Sequence, residues 1–182
     1  MKPRFSLVGT ATAAALCLGS TTAWAQDCLA VMSQKQELSD FVGALNRTGQ
    51  ASLLLGPGPF TFLVPTNAAI QKVPVNVRND LMGSQPTQDI DPIRAPAVVN
   101  AHIVDGKHMA SEVRGQERAT IRTRNGNELI IQRGSDGRYA LAPGAGGFEG
   151  GGAHRIEPAH VVQADIPCSN GVVHIVDAVL AR

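Results

Sequence analysis

Aromatic side chains are scarce in this sequence, and neither sign of charge is in large excess. Trp24 is the one tryptophan and Tyr139 the one tyrosine; the phenylalanines beyond the first segment are Phe41, Phe60, Phe62 and Phe148. That set is too small to stack sugars or bases, which argues against a lectin or a single-strand nucleic-acid binder. Formal net charge is +1, so nothing in the charge balance points to nucleic acid or an anionic membrane as partner. After the first residues no apolar run approaches membrane-spanning length, and no membrane span is expected. Catalytic and metal signatures are missing too. There is no Gly-x-Ser-x-Gly elbow, no His-Glu-x-x-His and no Cys-x-x-Cys. No internal repeat occurs, so one domain is the simplest count.

What is present begins with a leader. Lys2 and Arg4 precede a mostly small and apolar stretch from Phe5 to Gly19, and Ala23-Trp24-Ala25 has the small-x-small form of a cleavage site. Residues 1–25 are expected to be a secretory signal peptide, with export to the periplasm or the extracellular space. The stretch is too short and too rich in Thr, Ser and Gly for a transmembrane anchor. Cys17 follows Ala14-Ala15-Leu16, a poor match to a lipoprotein processing site. Of the 182 residues, 157 then remain, with 14 basic and 15 acidic side chains. That length suffices for one core. Residues 26–182 are expected to be the folded domain.

Cysteine is reduced to Cys28 and Cys168, at opposite ends of the remaining chain. An even pair in an exported protein suggests one disulfide, Cys28–Cys168; two free thiols or a linked dimer are the alternatives.

Apolar spacing of Leu38, Phe41, Val42 and Leu45 predicts a helix within residues 33–49, stopped by Gly49. Phe60 to Val64 is a short β-prone run. Pro65 should close it, and Thr66 or Asn67 can cap a helical turn through Ile70. The proline-containing middle, residues 74–101, suits short helices. A strand is expected around His102 to Val104, with a turn at Asp105-Gly106. Ala119 to Arg133 reads as a hairpin with Asn125-Gly126 as a two-residue tip, and residues 138–142 as another strand. Residues 143–154 are glycine-rich and read as a mobile surface loop. No Gly-Lys-Ser/Thr follows them, so a phosphate cradle is not indicated. Two final strands are joined by the turn Cys168-Ser169-Asn170-Gly171.

Three ordered stretches resemble the fasciclin domain family: "FTFLVPTNAAI" at 60–70, "AHIVDGKH" at 101–108 and "ADIPCSNGVVHIVDAVL" at 164–180. Their order and spacing agree over one domain's worth of chain. The resemblance implies an α+β fold, a wedge-like β-sandwich with several short helices along one edge. It also implies an adhesion or interaction module with a protein or cell-surface partner, not an enzyme. No cofactor and no metal are expected, and the chain is expected to act as a monomer. Pro65, Thr66, Asn67, His102, Asn170, Gly171, His174 and Asp177 fall on its motifs as structural positions. Ala101 departs from it, since the family commonly has Tyr or Asn there.

The residues agree with a structural role for His174. Strand alternation puts Val172, His174 and Val176 on one face and Val173, Ile175 and Asp177 on the other. A buried imidazole among apolar neighbours must find hydrogen-bond partners. A Ser169, His174, Asp177 triad fails, because His174 and Asp177 point to opposite faces. In animal matrix members of the family an Asp-Ile pair has been tied to integrin binding, which makes Asp165 and Ile166 candidate partner-binding residues. The favoured reading is local: Asp165 serves the adjoining turn and Ile166 packs inward. The strongest alternative function is a secreted small-molecule or metal binder using His102, His108 and His160; His154 is expected to be solvated.

Overall fold

The structure is a computed structural model. It describes residues 26–83, 90–113, 116, 118–134, 137–144 and 158–180. The expected signal peptide, His154 and all but the first two residues of the glycine-rich loop lie outside the described residues.

Among the described residues, six short α-helices and seven strands alternate with a strong bias: helices first, strands last. The helices are α1 (Cys28–Ser33), α2 (Ser39–Arg47), α3 (Ala51–Leu54), α4 (Asn67–Lys72), α5 (Val75–Met82) and α6 (Arg94–Asn100). The strands are β1 (Phe60–Pro65), β2 (Ile103–Asp105), β3 (Arg118–Arg122), β4 (Glu128–Arg133), β5 (Tyr139–Pro143), β6 (Ala159–Cys168) and β7 (Gly171–Val176). The strands form one sheet in the order β2-β1-β7-β6-β5-β4-β3. Among the described strands, β1 and β7 are the one parallel pair, and Val104 of β2 bridges to Thr123 just past β3. The sheet therefore curls until its two edges nearly meet, which gives the wedge its closed profile. The fold is the α+β wedge that the sequence motifs imply.

The single helix expected over residues 33–49 is broken. Lys35 is extended, Gln36–Leu38 form a 3₁₀ turn, and α2 starts only at Ser39. The break has a cause in the next motif. Asn67 reaches across to the start of α2, accepting from the Asp40 N–H at 3.0 Å and donating to the Gln36 carbonyl at 3.0 Å. It thus satisfies backbone groups that a continuous helix would have paired internally. Helix α1, ahead of the break, is capped by Asp27, whose side chain accepts from the Ala30 N–H at 2.7 Å.

Two cores lie on either side of the central strands. Phe62 and Val64 of β1 and Val173 and Ile175 of β7 face the helices, where they meet Met32, Phe41, Leu45, Leu54, Leu81 and Val99. Leu63 and Val176 face the inside of the wedge with Val104, Ile121, Leu129, Leu141 and Ala159. Both faces of β7 are covered, and all six of its residues are buried. This explains why it reads as a near-continuous apolar run and not as an alternating one.

The β3–β4 hairpin differs in detail from the expected two-residue tip. The Thr123 N–H donates to the Asn127 carbonyl at 2.9 Å, which leaves three residues in the loop. Gly126 alone takes the left-handed conformation, at φ +86°. Asn125 instead uses its side chain, accepting from the Thr123 hydroxyl at 2.5 Å and from the Asn127 N–H at 3.2 Å.

Candidate functional site

The polar residues of the sequence motifs converge on the ends of β1 and β7. His102 follows α6 and is fully buried. Its Nδ1 donates to the Val98 carbonyl at 2.7 Å, and its Nε2 accepts from the Leu180 N–H at 2.9 Å. Its ring packs against Phe41 with centroids 5.3 Å apart. Both nitrogens are engaged in opposite roles, which fixes one neutral tautomer. Burial pushes its pKa down to about 4, opposed by the hydrogen bond to Val98. His102 therefore ties the end of the described chain to α6.

His174 plays the equivalent part inside the wedge and is 6% exposed. Its Nδ1 accepts from the Asp165 N–H at 3.1 Å, and its Nε2 donates to the His108 carbonyl at 2.9 Å. Burial lowers its pKa from the ordinary histidine value; the His108 carbonyl and the Asp165 carboxylate oppose that shift, and the His108 ring adds to it. Asp165 sits in an irregularity of β6. Gln163 pairs with Ile175 and Ile166 with Val173, so two residues of β6 stand opposite His174 alone. Asp165 is there at φ +58°, the one described non-glycine residue with a positive φ. Its carboxylate accepts from the Ala110 N–H at 2.8 Å. Ile166 packs against the helix-side core.

The closing turn is a second junction. Asn170 accepts from the Cys28 N–H at 2.9 Å through its side-chain oxygen, and its side-chain nitrogen donates to the Leu54 carbonyl. Its backbone carbonyl accepts from Phe60 N–H at 3.0 Å. Gly171 follows because the backbone of β1 passes too close for a side chain: a Cβ there would lie 2.0 Å from the Phe60 carbonyl oxygen. Ser169 meets Gln26 through its backbone N–H. Cys28 and Cys168 are joined by a disulfide with Cα atoms 4.9 Å apart, across a sequence separation of 140. At the other end of β1, Pro65 is the last strand residue and pairs with Val176. Thr66 caps α4, accepting from the Ala69 N–H at 3.2 Å.

Asp177 turns away from His174 and meets His160 of β6 instead. It accepts from the His160 N–H at 2.6 Å, and its second oxygen stands 3.5 Å from His160 Nδ1. Both side chains are about two-fifths exposed. His108 is equally open, 3.9 Å from Glu112. The histidines of the ligand-binding alternative are thus not brought together: His102 is enclosed behind the helices, whereas His108 and His160 are half-exposed on separate elements. Among the described residues no group of three or more His, Cys, Asp or Glu is placed to hold a metal. A shallow, open depression of about 570 Å³ is lined by Lys35, Gln36, Glu37 and Asn67 and includes none of these histidines. No helix among the described residues is long and apolar enough to cross a membrane.

The sequence reading missed the segment after β2. Thr61, 1% exposed, donates to the Gly106 carbonyl at 2.7 Å and accepts from the His108 N–H at 2.9 Å. A lone Thr in a buried strand was the available signal, because a buried hydroxyl requires a partner.

The family model of the Fasciclin domain matches residues 36–182. Human periostin is 28% identical over 156 residues, covering 86% of this chain and 15% of periostin. Protein sll1483 of Synechocystis is 25% identical over 150 residues, 82% of this chain and 70% of that protein. The solved structure of a FAS1 domain pair from the insect cell adhesion molecule Fasciclin I superposes with a TM-score of 0.55 at 24% identity, over 79% of this chain and 44% of the pair. The chain thus spans one part of larger proteins in two of these three cases.

Proposed function

Because the chain belongs to the fasciclin domain family, we propose that it is an exported adhesion or protein-interaction module that acts by surface contact and carries out no turnover. Residues 26–182 act as one domain, as a monomer, after removal of residues 1–25. The disulfide suits an oxidising compartment. The structural relative from insects is itself a cell adhesion molecule.

One observation carries the non-catalytic part. The motif side chains that could do acid–base work are engaged with the protein's own backbone. His102 and His174 each hold two backbone groups, and Asp165 and Asp177 each accept from a backbone N–H. A general base needs a free lone pair within reach of substrate, and the two buried imidazoles offer none.

Beads coated with the oxidised chain test the reading. They should adhere to envelopes of the producing cells more strongly than beads coated with chain that has been reduced, alkylated and kept unfolded by heat during coating. Equal retention of both sets of beads at every coating density would refute a fold-dependent adhesive surface.

A further inference from the structure

We infer that His174 is an acid-sensitive latch that holds the Asp165 irregularity of β6 and the segment 106–113 against the wedge. This inference stands apart from the adhesion reading and rests on the local geometry alone.

Three elements meet at this ring. β7 supplies the imidazole, β6 supplies the Asp165 N–H, and the segment after β2 supplies the His108 carbonyl. Nδ1 can accept from Asp165 only while it lacks a proton. When Nδ1 takes a proton from solvent, two N–H groups face each other across a 3.1 Å contact. The bond is then lost and replaced by repulsion. Asp165 sits at φ +58°, a left-handed conformation that Asp accepts more readily than most residues with a Cβ but that still costs energy, so the loss of this contact removes one of the restraints that hold it there.

The charges around the ring set the direction of the change. β6 contributes the Asp165 carboxylate, now bonded to the Ala110 N–H. The segment 106–113 contributes His108, with Glu112 at 3.9 Å behind it. β1 has no ionisable side chain, and Leu63 is the residue paired with His174. The new imidazolium therefore has one adjacent counter-charge, Asp165. A carboxylate that turns toward the ring leaves Ala110 without its acceptor. Protonation at one atom thus loosens two contacts of Asp165, one to the ring and one to Ala110 of the segment 106–113, while Nε2 still donates to the His108 carbonyl. Burial opposes protonation, so the latch stays closed at neutral pH and opens only in acid.

Amide hydrogen exchange on the oxidised, uniformly labelled chain tests this, from about pH 7 to about pH 4.5. Protection factors of the Asp165 and Ala110 amides should fall at least tenfold relative to the Val64 and Ile175 ladder amides as the His174 ring resonances titrate. A constant ratio through that titration overturns the latch, as does a parallel fall of all four amides, which is global loosening. In His174→Gln the side chain does not titrate in this range, so the Asp165 and Ala110 amides should lose at least tenfold less protection between the two pH values than they do in the wild type. The same acid loss in that variant also overturns the proposal. Should the variant fail to fold, the wild-type titration decides alone.

Discussion

Acid should destabilise this domain through His102 by an amount that the structure specifies. Its pKa lies at about 4 in the folded chain, pushed down by burial from the ordinary 6.5. Between those values the unfolded chain binds a proton that the folded chain refuses. Stability is therefore fully present above pH 6.5 and falls as pH drops through the window, because the unfolded state holds more protons. Each pKa unit is worth about 1.36 kcal/mol, so the loss reaches about 3 kcal/mol at pH 4. A His102→Ala variant isolates the effect. At neutral pH it should lose about 3–5 kcal/mol, from the orphaned Val98 carbonyl and Leu180 N–H and from the void beside Phe41. At pH 4 the variant no longer lacks anything that the wild type retains in full, and the gap should shrink by about 3 kcal/mol. His174 shifts stability in the same direction but is present in both proteins and cancels in the difference. Urea unfolding followed by circular dichroism is the suitable assay, since no tryptophan follows residue 25. A gap that is equal at pH 7 and pH 4 refutes the reasoning.

Three further outcomes follow from the junctions at the strand ends. Gly171→Ala places a carbon 2.0 Å from the Phe60 carbonyl oxygen, and should cost more than about 3 kcal/mol or prevent folding; a thermal midpoint within a few degrees of wild type contradicts this. Thr66→Ala removes the α4 cap and should cost about 1 kcal/mol in denaturant titration, whereas an unchanged midpoint means that the cap contributes nothing. Reduction of Cys28–Cys168 should lower stability by about 2–4 kcal/mol, below the roughly 5 kcal/mol of the chain-entropy estimate for so long a loop; identical melting curves with and without reductant sink that expectation.

Strand existence was legible where periodicity and punctuation agreed. β1 was bounded by a Gly-Pro pair before it and Pro65 after it, and its cap at Thr66 followed from chemistry local to four residues. β7 could be placed because His174 fell in register with Val172 and Val176, and a buried imidazole demands partners. The identity of those partners was not legible. Asp165 and His108 lie 9 and 66 residues away in sequence, and no local pattern encodes such distances. The same limit explains the broken helix. Leu38, Phe41 and Leu45 carry the correct apolar stripe, but Asn67, from another element, pairs the backbone at its start. The irregularity of β6 was illegible for a different reason: it places Asp, not Gly, at positive φ, so composition gave no sign of it.

The placement of these clamps follows from a topological difficulty, and it makes a kinetic prediction. β1 and β7 pair in parallel although 111 residues separate Phe60 from Gly171. No connecting turn fixes their register, unlike a hairpin. A slip of one residue would turn Phe62 and Val64 away from the helices and Leu63 toward them. Register is fixed at one end by the Asn170 carbonyl on the Phe60 N–H and at the other by the Val176 carbonyl on the Thr66 N–H. The disulfide acts on the same step. Once Cys28 and Cys168 are joined, the path from Phe60 to Gly171 shortens to about 35 residues. Loop-closure entropy scales as about 1.5RT ln n, so the bridge reduces the cost of bringing the strands together by about 1 kcal/mol. If β1–β7 pairing is formed in the folding transition state, the oxidised chain should refold about fivefold faster than the reduced chain. Stopped-flow dilution from urea, with circular dichroism detection, measures both rates. Equal refolding rates, with the whole stability difference in the unfolding rate, would mean that this parallel pair forms after the barrier has been crossed.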